Sequence, residues 1–212
     1  MNENSNEGPH TTNRSLSQLA TLTGAIGPVI ALILLVSDIE ISPWFSWYKS
    51  ALSDLGVHSY GYLFNSALII EGILNIIFMY ALHRYFNLKS YISGILLIAG
   101  ISLALVGVFN EHFGTIHLVF ALIYFILFPS GIIMFSLSPT EKRRYEAPMG
   151  IALSIIGLGF IIVGILQVFK AVSSPLALGF YEFIEALALF IWSVEVSISR
   201  TASLHAKDSK PA

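Results

Sequence analysis

Apolar runs of about 20 residues, the length needed to cross roughly 30 Å of hydrocarbon, recur along this chain and constrain its fold more than any other feature. Six are legible, at about 17–37, 61–83, 90–110, 115–137, 147–169 and 176–199. Inside hydrocarbon a backbone N–H or C=O finds no water, so each run must bond its own polar groups. The expected fold is therefore all-α: a polytopic integral membrane protein built as a bundle of six transmembrane helices. Composition agrees. The chain is 55% hydrophobic and 11% charged, against about 25% charged in a soluble domain, a deficit too large for a big core to explain.

Several function classes drop out at once. There are no cysteines, which excludes disulfides, thiolate metal sites and cysteine nucleophiles. A net charge of −2 gives no footprint for nucleic acid, so the expected partners are membrane lipids and a second copy of the chain or a membrane complex. No phosphate-cradling glycine loop, nucleotide fingerprint or GxSxG elbow is present, and no motif calls for a cofactor.

The basic residues orient the bundle. Nine of the 11 lysines and arginines fall on one side: Arg14, Arg84, Lys89, Lys142, Arg143, Arg144, Arg200, Lys207 and Lys210. Only Lys49 and Lys170 fall on the other. By the positive-inside rule both termini are cytoplasmic, and the protein sits in the cell membrane. Residues 1–16 read as a disordered cytoplasmic tail, 17–200 as the six-helix domain and 201–212 as a cytoplasmic tail. The first outer loop places Trp44, Tyr48, Ala51, Leu52 and Leu55 at helical spacing, which predicts an interfacial helix over about 43–56. A weak internal echo pairs 93–109 with 149–166 and 69–78 with 183–192, aligning Glu71 with Glu185.

The polar residues within and between the runs are the candidate site. An ionisable group in the bilayer costs about 2.5–3.5 kcal/mol and faces the bundle interior. Glu71 and Glu185 fall near mid-depth of their runs, with Asn75 one turn from Glu71 and Glu182 one turn outward of Glu185. They are either helix glue or a buried carboxylate pair that binds a cation, a proton or a polar head group. Toward the outer surface the chain collects Asp54, His58, Asn110, Glu111, His112 and His117, an expected polar vestibule. Its weaker alternative is a divalent metal on His58, His112 and His117, although no HExxH-like spacing supports it.

The segments "SALSDLGVH" (50–58), "LFNSALIIEG" (63–72) and "VGVFNEHFGTIHLVFALIYF" (106–125) resemble those of a prokaryotic, notably archaeal, group of six-span membrane proteins, the family catalogued as domain of unknown function 998. The likeness covers about residues 17–200. It matches Ser53, Leu55 and Gly56, then Gly107 and Phe109, then His117, with Asn110 standing where the family commonly has proline. It implies a fold and no activity. The leading expectation from the site residues is an outward-facing vestibule that binds or moves a small polar species, an ion or a lipid head group. The alternatives are an intramembrane metal-dependent lipid hydrolase and an accessory subunit of a membrane complex.

Overall fold

The computed structural model describes the backbone of residues 9–138, 146–171 and 173–206. Among these residues there are six long helices and no strand: α1 (Pro9–Ile41), α2 (Gly61–Phe86), α3 (Ser90–Val108), α4 (Thr115–Ser136), α5 (Glu146–Val168) and α6 (Leu178–Ala206). The predicted runs lie within or nearly coincide with these elements. The first five contain segments long and apolar enough to span a bilayer. With 29 residues, α6 has the length but carries Glu182, Glu185, Glu195 and Arg200, which dilute its apolar character.

The main differences lie at the chain's first helix and first loop. α1 begins at Pro9, inside the stretch predicted as a tail; proline suits a first helical turn, where its missing N–H would have had no partner. Residues 1–8, the basic stretch 142–144 and Lys207 and Lys210 lie outside the described residues. The predicted interfacial helix over 43–56 is not formed. Turns occupy 43–49 and a short 3-10 segment covers Ser53–Val57. Side chains divert the backbone there: the Ser46 N–H donates to Ser50 Oγ at 3.2 Å and the Ala51 N–H to Asp54 Oδ2 at 2.8 Å, a competition in which serine and aspartate replace helical bonds.

Each helix packs on its neighbours in sequence and α6 returns to α1, so the bundle is a closed ring. The α2–α3 seam requires Gly72, where a β-carbon would come within 2.6 Å of the Ala104 nitrogen and 2.7 Å of the Gly100 oxygen. The α1–α6 seam is closed by hydroxyls. Pro28 has no N–H for the Gly24 carbonyl one turn back, and Ser193 Oγ of α6 donates to that carbonyl at 2.8 Å. One turn along, Ser197 Oγ donates to the Thr21 carbonyl at 2.8 Å. The short links are fixed locally. Asn87 takes a left-handed conformation (φ 57°) to end α2, and Gly114 (φ 53°) turns the chain into α4.

Candidate functional site

The α1–α2, α3–α4 and α5–α6 connections meet at one end of the ring, and the first lies across it as a roof. Its 42–57 backbone is pinned to the entry of α6: the N–H of Ala177, just before the helix, donates to the Trp47 carbonyl at 2.8 Å and the Gly179 N–H to the Ser50 carbonyl at 3.1 Å. Glu182 Oε2 accepts the Leu52 N–H at 2.7 Å. From the other side, Asn65 Nδ2 and Asn110 Nδ2 both donate to the Gly56 carbonyl, at 2.9 and 3.2 Å. Asp38, 1% exposed, accepts from the Phe64 N–H and from Ser42 Oγ, both at 3.2 Å. It thereby ties α1 to the positive end of α2. Leu55 beneath the roof is fully buried.

Under this roof an axial cavity of about 60 Å³ has room for roughly four water molecules or one small organic group. Its walls come from α1, α2, α3, α4 and α6 and are apolar, broken by Ser53, His117, Tyr124 and Glu182. His117 Nδ1 lies 2.9 Å from the Phe109 carbonyl. A carbonyl can only accept, so Nδ1 carries a proton, and in the neutral ring Nε2 is an acceptor. Glu182 adds carboxylate oxygens, and the two hydroxyls accept as readily as they donate.

The candidate residues divide into two groups. At the mouth, Glu111 hydrogen-bonds Asp54 and lies close to His58, and Glu182 lies within electrostatic range of both acids. Burial, and then the hydrogen bond and negative charge of Asp54, push the Glu111 carboxyl up to about 7, while His58 works in the opposite direction. His58 donates from Nδ1 to the Asp54 carbonyl at 2.8 Å and stacks on Trp44 at 3.8 Å between ring centroids. The exposed His112 side chain stands apart; its backbone N–H donates to Asn110 Oδ1. The three histidines thus have separate partners, and among the described residues no group of three or more His, Asp or Glu is arranged to hold a metal ion.

Deeper in the ring, Glu71 and Glu185 are 2% and 0% exposed, but neither lines the cavity. Glu71 packs against Gly27 of α1 and Glu185 against Gly157 of α5. Asn75 reaches the Glu71 carboxyl, whereas the charged neighbour of Glu185 is Glu182 and not Glu71. The two glutamates are thus buried in different seams, α1–α2 and α5–α6, and do not form a contacting pair. Tyr124, 3% exposed, lies within electrostatic range of both. Glu71 Oε2 and both Glu185 oxygens have no hydrogen-bond partner.

Tyr124 and Asp38 were not among the sequence candidates. Tyr124 stands seven residues after His117, two helical turns along the same face of α4, and that spacing is its only signal. Asp38 sits in the last turn of an apolar run, where nothing local distinguishes a buried cap from a solvated acid.

A closed ring of mostly apolar helices around a roofed, acceptor-lined cavity defines a polytopic helical membrane protein with an internal polar site. The chain belongs to the DUF998 family, proteins of unknown function, whose model matches residues 25–199. No curated protein and no solved structure matches it.

Proposed function

We propose that the protein binds a small hydrogen-bond-donating group, the head of a lipid or of another amphiphile, in the axial cavity from the outer face of the cell membrane. The observation that carries this reading is the cavity itself: an apolar wall whose polar groups, His117 Nε2 and the Glu182 carboxylate, accept hydrogen bonds, with the Ser53 and Tyr124 hydroxyls able to do the same. An apolar pocket with a few convergent acceptors selects a ligand with an apolar body and a donating head. In this reading α6 also crosses the membrane, and the distribution of lysine and arginine puts both termini in the cytoplasm.

Phosphatidylethanolamine and phosphatidylcholine test the idea, because only the first has N–H donors on its head. Short-chain phosphatidylethanolamine should raise the melting temperature of the detergent-purified protein more than phosphatidylcholine does. Ala121→Phe, which fills the cavity from its wall, should remove the difference. Equal effects of the two lipids on the wild-type protein would refute the reading.

A further inference from the structure

An acyl chain does not fit in a cavity of about 60 Å³, so an amphiphile whose head sits there must pass its tail through the wall. At one place that wall is a single side chain thick. An open groove of about 330 Å³ runs along the lipid-facing side of the α1–α6 seam, formed by Pro28 and Val29 of α1 with Leu187, Ile191 and Val194 of α6, and ending at Glu195. Among the described residues, Phe190 alone lines both this groove and the cavity. Val29 and Ile191 are 51% and 46% exposed, so the groove opens outward, whereas Phe190 is buried and packs inward on Ala31 and Ala67. A second lipid-facing depression, on α5 around Gly159, shares no residue with the cavity.

Hydrogen bonds frame this stretch of the seam above and below but do not cross it. At the roof end, Glu182 of α6 holds the Leu52 N–H at 2.7 Å, and Asp38 ties the last turn of α1 to α2. Toward the other end, Ser193 and Ser197 of α6 donate to the Gly24 and Thr21 carbonyls of α1. Between the levels of Glu182 and Ser193, no hydrogen bond joins α1 to α6 among the described residues. Pro28 lies at the lower edge of this window and leaves α1 one intrahelical bond short there, so the part above it can flex against α6. An aromatic side chain on a helix has two favoured χ1 positions, and rotation of Phe190 with that flexure joins the groove to the cavity. Along α6 the path from Glu182 to Val194 covers about 18 Å, close to the roughly 15 Å that one leaflet contributes to the hydrocarbon.

We propose that the α1–α6 seam is the lateral entrance to the axial cavity, with Phe190 as its gate. A phospholipid of the leaflet at the roof end places its head under the roof and lays one acyl chain past Phe190 into the groove. The polarity of the path matches that lipid: the cavity lies at the roof end, and the groove runs from it toward the middle of the bilayer. Because the groove already faces hydrocarbon, the chain enters without exposing apolar surface to water, and the hydrogen bonds of the roof stay intact. The proposed entrance rests on a lipid head lying in the cavity, and adds the lipid's route and the position of its chain.

Phosphatidylethanolamine with a diazirine near the end of one acyl chain, placed with the purified protein in phosphatidylcholine nanodiscs, marks on illumination the side chains that the chain end touches. Peptide mass spectrometry should find Leu187, Ile191 and Val194 labelled several times more than Ile155 and Ile162, which are 59% and 52% exposed on α5. Ala121→Phe, which fills the cavity, and Val29→Trp, which fills the groove from the lipid side, should each lower that labelling to the α5 level. Phe190→Leu, a smaller gate, should make the labelling appear sooner after the lipid is added. If Phe190→Leu fails to fold, Val29→Trp still tests the route, since it changes a lipid-facing position. Even labelling of α5 and α6, or groove labelling that survives Ala121→Phe, would overturn the entrance even where phosphatidylethanolamine keeps its effect on melting temperature. A second copy of the chain seated in the groove would shield it and give less labelling than on α5, which overturns the entrance too. Groove labelling that Ala121→Phe abolishes, with equal melting effects of the two lipids, would uphold the entrance and refute only the preference for a donating head.

Discussion

Gly27→Ala should destabilise the bundle through Glu71. A β-carbon at Gly27 overlaps the Glu71 carboxyl and comes within 3.1 Å of Leu74 Cβ. Glu71 is 2% exposed, so its side chain has no solvent to swing into. Alanine gains about 1 kcal/mol over glycine in a helix interior, while overpacking a well-filled core costs about 1–3 kcal/mol. Because the clash falls on a buried polar group, the net loss should be about 1–2 kcal/mol. For a chain of 150–250 residues that lowers the melting temperature by about 2–4 °C per kcal/mol. Glu71→Asp withdraws the carboxyl by one methylene and by itself costs about 0.8 kcal/mol. In the double variant the overlap is relieved, so the two changes together should cost at least about 1 kcal/mol less than their sum. Thermal unfolding in detergent, followed by circular dichroism over the four-protein cycle, measures this. Additivity within about 0.5 kcal/mol, or a net stabilisation by Gly27→Ala, would show that Glu71 does not lie against α1.

Three further outcomes are expected. Glu111 holds its proton to about pH 7 in the folded protein but to about 4.3 when unfolded. The native state therefore binds more protons between these values, and stability should fall as pH rises through that window. Half-exposure limits the effect to about 1 kcal/mol, and Glu111→Gln should flatten the curve; an unchanged slope would refute the burial of Glu111 beside Asp54. Glu182→Ala leaves the Leu52 N–H without its acceptor and should cost about 1–3 kcal/mol, with faster hydrogen exchange over 50–57 than over α3. In the cysteine-free background, Ser59→Cys and Ser173→Cys should react with an impermeant thiol reagent in intact cells and Ser90→Cys should not; labelling of Ser90→Cys alone would reverse the proposed orientation.

The helices were legible in the sequence because hydrocarbon imposes the signal residue by residue. A run that spans must be apolar throughout and must bond its own backbone, so α2, α3, α4 and α5 fall within three residues of their expected bounds. The burial of Glu71 and Glu185 follows from the same rule, since a carboxyl in such a run has nowhere else to go. What each one meets does not follow, because it depends on which neighbouring helix presents a glycine. Gly27 and Gly157 lie on two different neighbours, and the glutamates pack into two different seams. The roof was misread for a related reason. Residues 43–56 carry helical spacing, but serine and aspartate side chains together with the end of α6 supply competing partners for their backbone. Those partners lie as far as 130 positions away along the chain. Local pattern determined which segments became helices, and only the closing of the ring decided which polar side chains meet, because helix depth is written in one dimension and helix rotation in three.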